Sequence, residues 1–103
     1  MQIEITGHHI EITEALRRHI NKRLERLNER QDKMLSQVHV VLEVSKNIHQ
    51  CDIMTRHEHE EFVAHNADDD MYVAIDRATD KMERQLHDAK GRKLSRRTTS
   101  AHN

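Results

Sequence analysis

The stretch Asp70–Lys93, DMYVAIDRATDKMERQLHDAKGRK, holds one helical period without a proline and without a glycine before Gly91. Three carboxylates, Asp68, Asp69 and Asp70, stand at its start, where a helix exposes unpaired N–H groups and the positive end of its dipole. Gly91 is the residue at which the helix is expected to end. At about 100° per residue, Met71, Ile75, Ala78, Met82, Leu86 and Ala89 share one face, a stripe that needs a core to cover it. The charges beside this stripe are sorted by sign. Asp76, Asp80 and Glu83 lie on one flank; Arg77, Lys81, Arg84 and, past the glycine, Arg92 lie on the other. A solvated helix gains from mixing its signs, so the sorting implies that one flank meets an anion.

A second helix repeats the arrangement. Thr13 is its candidate N-cap, Glu14 sits in its first turn, and Leu16, Ile20, Leu24 and Leu27 form its apolar face up to about Arg30. His19, Lys22, Arg23, Arg26 and Arg30 fall on one flank, Glu14, Glu25 and Glu29 on another. The bland account of both helices is a solvated charged surface, since charge runs usually mean that.

Between and before the helices the period changes to two. Met1–Thr6 alternates, with Ile3 and Ile5 on one side, and Gly7-His8-His9 turns the chain. Gln31–Gln37 is a connector, after which Val38, Val40, Leu42 and Val44 mark a strand. Lys46-Asn47 opens a turn, Cys51–His57 forms a weaker strand, and Glu58–Glu61 is a polar hairpin. Phe62, Ala64 and Asn66 face inward from the last strand. The order is β-α-β-β-β-α. A crossover helix favours parallel pairing and short loops favour antiparallel pairing. Both amphipathic helices need the same apolar sheet face, which predicts a two-layer α/β sandwich with both helices on one side of a four-stranded sheet. Only 2% of the 103 residues are aromatic, so the core is built from Ile, Leu, Val, Met and Ala.

Three separated motifs, IEITGHHIEITEALRRHI, VHVVLEV and DMYVAID…DKMERQL, resemble the short ribosome hibernation-promoting factors and the related ribosome-associated inhibitor A of bacteria. The likeness runs from Met1 to about Lys93, which sets residues 1–93 as the domain and 94–103 as a short, basic, flexible tail. It implies a fold similar to a double-stranded RNA-binding domain. It further implies binding to the small ribosomal subunit and its 16S rRNA, in the channel of messenger and transfer RNA. The outcome there is blocked translation in stationary phase. The basic positions of the first helix fall on Arg23 and Arg26 with Lys22 beside them, those of the second on Lys81, Arg84 and Lys90. With the wheel, the candidate RNA-binding set is Lys22, Arg23, Arg26, Arg30, Arg77, Lys81, Arg84, Lys90, Arg92 and Lys93. Their chemistry is phosphate neutralisation with counterion release. The chain departs from its relatives at Asp88, where they usually carry lysine, and at His59-Glu60, where they commonly carry Gly-Gly. Its length favours the short promoting factor, which with a second factor supports pairing of ribosomes into inactive dimers.

Other chemistries are weaker readings. The formal net charge of −1 argues against polyanion binding through overall charge but leaves a local basic face open. The ten histidines include His57-x-His59 and His49-x-Cys51, yet neither pair has the spacing of a closed zinc site. Cys51, the single cysteine, has no partner for an internal disulfide and nothing to orient it as a nucleophile. No enzyme, cofactor, metal or small-molecule substrate is expected. No signal peptide or membrane span is legible, so the expected compartment is the cytoplasm. The rival function is a general double-stranded RNA-binding module reading A-form shape. A third is an interaction domain whose sorted charges match a partner protein.

Overall fold

The computed structural model describes the backbone of residues 1–101 and the side chains of residues 1–92. In chain order it contains β1 (Gln2–His8), α1 (Glu14–Glu29), β2 (Gln37–Ser45), β3 (Ile48–His57), β4 (Glu60–Asp68) and α2 (Met71–Ala101). This is the β-α-β-β-β-α order that the periodicity predicts. The strands lie side by side as β1-β2-β3-β4. β1 pairs parallel with β2 because α1 carries the chain back across the sheet; β2–β3 and β3–β4 are antiparallel hairpins. Register places Ile3 beside Val38, Val40 beside Ile53, and Ile53 beside Ala64, so the apolar residues share one face.

Both helices cover that face. Leu16, Ile20, Leu24 and Leu27 of α1 and Met71, Ile75, Ala78, Met82, Leu86 and Ala89 of α2 are buried in one cluster with the strand residues. Burial of a leucine or isoleucine of this kind stabilises the fold by about 1.5–3 kcal/mol. Thr13 caps α1, its hydroxyl accepting from Leu16 N at 3.2 Å. Asp70 does the same for α2, its carboxylate accepting from Tyr72 N at 2.9 Å. Asp68 in turn accepts from Asp70 N at 3.1 Å. Its carboxyl is held below the ordinary range by Asp69's side chain, then by the Asp70 N–H and Arg77.

Several details differ from the sequence reading: β1 runs on through Gly7 to His8, and β4 already starts at Glu60. β3 starts at Ile48 rather than near Cys51. Leu35, placed in the connector, is fully buried, and its N–H donates to Asn28 Oδ1 at 2.8 Å. A lone apolar residue in a polar linker carries no period, so pattern alone does not mark it. A further correction concerns α2, which passes through Gly91 and continues to Ala101. Gly91 does not adopt the left-handed conformation that ends helices. One interior glycine costs only about 1 kcal/mol, and good helix formers flank it. The side chains of the 94–103 segment lie outside the described residues.

The two hairpin turns are strained. Lys46 and Asn47 have φ of 48° and 66°; Glu58 and His59 have 50° and 69°. Two-residue hairpins demand this geometry, which glycine and asparagine supply most readily. The residues at the β3–β4 turn are therefore Glu58-His59, one position earlier than the His59-Glu60 pair aligned with Gly-Gly above. A left-handed non-glycine residue costs about 1–2 kcal/mol, part of which glycine gives back in unfolded-state entropy. His59→Gly is expected to stabilise the domain and to raise its melting temperature by about 4 °C, measured by circular dichroism. A lower melting temperature would show that His59 makes contacts worth more than the strain.

Candidate nucleic-acid interface

Register between the helices decides what the sorted charges meet. α1 and α2 run in the same direction, and the basic flank of α1 lies against the acidic flank of α2. Asp76 Oδ1 accepts from His19 Nε2 at 2.6 Å, and the His19 ring stands edge-on to Tyr72 with centroids 5.1 Å apart. Arg23 is the centre of the seam. Its Nε donates to the Thr79 hydroxyl at 3.2 Å and lies 3.2 Å from Asp76 Oδ1; its Nη2 donates to Asp76 O at 3.0 Å and to Asp80 Oδ1 at 2.8 Å. About two turns further on, Arg30 pairs with Glu83, which raises the guanidinium pKa above its ordinary value. Thr79, buried and also donating to Asp76 O at 2.7 Å, completes the arrangement. Its sequence signal is a polar residue between the apolar stripe and the acidic flank.

The other flank of α2 leans over β4, the edge strand. Lys81 Nζ donates to His65 O at 2.9 Å and Gln85 to Val63 O at 2.8 Å. Both carbonyls belong to the open edge, which these side chains close against pairing with another strand. Arg77 lies 3.6 Å from Asp68, Arg92 3.4 Å from Glu60, and Lys90 2.7 Å from Asp32. Asp88 lines the same shallow groove as Glu60, Glu61 and Arg92, so the acidic departure adds to a local carboxylate cluster.

Of the ten candidate cations, Lys22, Arg26 and Arg84 are exposed and have no hydrogen bond or ion pair among the described residues. Lys22 and Arg26 stand one turn apart on α1, and Arg26 lines the interhelical groove with Arg30, Asp80 and Glu83. Arg30, Arg77, Lys90 and Arg92 are paired but more than half exposed, at 62%, 63%, 53% and 56%. Surface pairs of that kind contribute little and exchange one anion for another readily. Arg23, at 23% exposure with four polar contacts, does not. The Lys93 side chain lies outside the described residues.

The histidines of the strands each face one carboxylate across the ladder: His8 faces Glu43, His39 Glu4, His49 Asp68, His57 Glu60 and His65 Asp52. These are pairs; among the described residues no three metal-ligating side chains converge. His59 sits in the strained turn, and Cys51 is fully buried on the inner sheet face. Burial pushes the Cys51 thiol up to about 12, with Asp52 adding to it. A folded-state value above the unfolded one means that the stabilising contribution holds below pH 9 and fades as pH rises toward 12. At pH 8 a disulfide reagent is expected to modify Cys51 only at the rate of global opening. Fast modification of the native protein would overturn the burial.

A β-α-β-β-β-α domain whose organised feature is a charged helical layer, and whose only thiol is buried and protonated, belongs to the binding class of proteins. The family model described as Sigma 54 modulation protein / S30EA ribosomal protein matches residues 3–94. The ribosome hibernation promoting factor of Salmonella typhimurium is 43% identical over 86 residues, 84% of this chain and 90% of that protein. The factor of the same description from Azotobacter vinelandii is 34% identical over 96 residues, 93% of this chain and 89% of that one. A ribosomal subunit interface protein from Coxiella burnetii superposes with a TM-score of 0.82 at 30% identity, covering 88% and 99% of the two chains. The Thermus thermophilus Protein Y N-terminal domain superposes at 0.78 with 34% identity, covering 84% and 96%. This chain belongs to the S30EA ribosomal protein family, that of the non-enzymatic ribosome hibernation promoting factors. No helix among the described residues is long and apolar enough to cross a membrane.

Proposed function

We propose that this protein is a cytoplasmic hibernation factor that binds the small ribosomal subunit in the messenger and transfer RNA channel. Its helical layer faces 16S rRNA, it blocks translation, and it promotes inactive ribosome dimers together with a second factor in stationary phase. The observation that carries this reading is the set Lys22, Arg26 and Arg84: exposed cations without a carboxylate partner among the described residues, on the helical layer of a chain in this family. Three unneutralised cations form a ready phosphate-binding surface, because no intramolecular pair has to break first. Arg30, Arg77, Lys90 and Arg92 join by exchanging surface carboxylates for phosphates, with arginine suited to bidentate contact. Lys81 and Arg23 support the surface from below, one closing the β4 edge and the other joining the helices.

Co-sedimentation with purified small subunits tests the proposal. A contact to three phosphates weakens by about fortyfold between about 50 and about 200 mM salt. Binding that shows at least this loss, and that a long RNA duplex competes away only poorly, is the expected result. Equal competition by the duplex would favour a general double-stranded RNA-binding module, which has the same basic flanks but reads A-form shape wherever it occurs. No binding at low salt would remove both.

A further inference from the structure

The helices cover one side of the sheet and leave the other open, and the open side has a different character. Its residues alternate with the core positions: Glu4 lies beside His39, His39 beside Met54 and Met54 beside Val63 in one row. The next row runs Thr6, Val41, Asp52, His65, and Glu43 and Glu61 follow at the two ends. Thr6 Oγ1 and His39 Nε2 are 3.1 Å apart, and Asp52 bonds the His65 ring, which fixes these side chains on the outer face. Two properties stand out. The middle of the face is apolar, with Val41, Met54 and a half-exposed Val63, and a shallow hollow beside it is lined by Gln37, His39, Met54, Arg56 and Glu61. Its charge is acidic: Glu4, Glu43, Asp52 and Glu61 are set against Arg56 as the one residue that is always cationic.

We infer that this open sheet face docks a lysine- and arginine-rich protein segment carrying apolar side chains. Charge complementarity selects the occupant. Carboxylates around an apolar centre repel phosphate and attract ammonium and guanidinium groups, while Val41, Met54 and Val63 supply the dehydrated contact. The same argument disfavours RNA on this side, since the carboxylates Glu4, Glu43, Asp52 and Glu61 repel its phosphates. The domain is therefore two-sided: cations on the helical layer, an acidic and apolar sheet beneath. A second copy of the chain does not fit face to face, because its matching sheet face has the same acidic sign.

The inference concerns the free protein and stands whether or not the helical layer meets rRNA. Its test is a methyl and amide NMR titration of the whole chain with a synthetic peptide of alternating arginine, lysine and leucine. Expected are shifts concentrated at Val41, Met54, Val63 and Asp52, with affinity lost at high salt. The variant Glu4→Gln/Glu43→Gln/Asp52→Asn is expected to bind the peptide about tenfold more weakly, three exposed charge contacts being removed. A parallel titration with a short RNA duplex should leave the sheet face unmoved. Peptide shifts confined to Asp76, Asp80 and Glu83, equal binding by the triple variant, or sheet-face shifts caused by the duplex would each overturn the inference. Concentration-dependent self-association through the sheet face would also overturn it.

Discussion

Arg23→Glu is expected to destabilise the domain by about 2–3 kcal/mol and to lower its melting temperature by about 10–20 °C. The wild-type guanidinium holds two carboxylates, a hydroxyl and a backbone carbonyl of α2. Reversal removes those bonds and sets a third carboxylate beside Asp76 and Asp80. Hydrogen bonds to charged groups are worth about 1.5–3 kcal/mol net, and the site is exposed enough at Asp80 to keep the loss below that of a fully buried pair. Adding Asp80→Arg restores opposite charges across the seam and should recover part of the melting temperature. If Arg23→Glu melts like the wild type, the seam is ornamental and Arg23 is free to act at the surface. Loss of ribosome binding by this variant would report the loss of the fold, so a contact variant has to be chosen elsewhere.

That separation was only half legible in the sequence. The wheel showed that both helices sort their charges, because phase within a helix depends on local spacing alone. It did not show that His19, Arg23 and Arg30 find carboxylates on α2, since that needs the two helices to be adjacent and parallel, a fact of tertiary packing. The strands and the buried faces were legible for the same local reason: Val38, Val40 and Leu42 alternate, and Leu16, Ile20, Leu24 and Leu27 recur at helical spacing. The burial of Leu35 was not, because it depends on what lies nearby in space; nor was the passage of α2 through Gly91, which stands in open space and costs too little among good helix formers to end the helix. Nor does spacing tell that Lys81 and Gln85 reach the β4 carbonyls; that follows from how far α2 overhangs the edge strand. Position by position, the resemblance picked out cations of both kinds, those that hold the fold together and those left free on its surface.

The triple variant Lys22→Glu/Arg26→Glu/Arg84→Glu is expected to keep its fold and to lose the ribosome. Each of the three is exposed and without a bonded partner among the described residues, so each substitution should change stability by no more than about 0.5 kcal/mol. Glu83 and Asp80 lie close to Arg26 in the interhelical groove, which makes Arg26→Glu the costliest of them. For binding, the three cations account for a salt slope of about 2.7, and reversing them adds repulsion to the lost attraction. Affinity for small subunits at low salt should fall by about a hundredfold or more, with the slope of log affinity on log salt shallower by about 2–3. Circular dichroism that matches the wild type, with binding gone, would assign phosphate contact to the unpaired cations. Unchanged binding would move the interface to the exposed paired set, Arg30, Arg77, Lys90 and Arg92, whose carboxylates would then have to give way to phosphate as the complex forms. The two outcomes also differ in kinetics: a surface already free of counter-charges associates at a rate set by steering alone, whereas one that must first release ion pairs adds a barrier to each encounter.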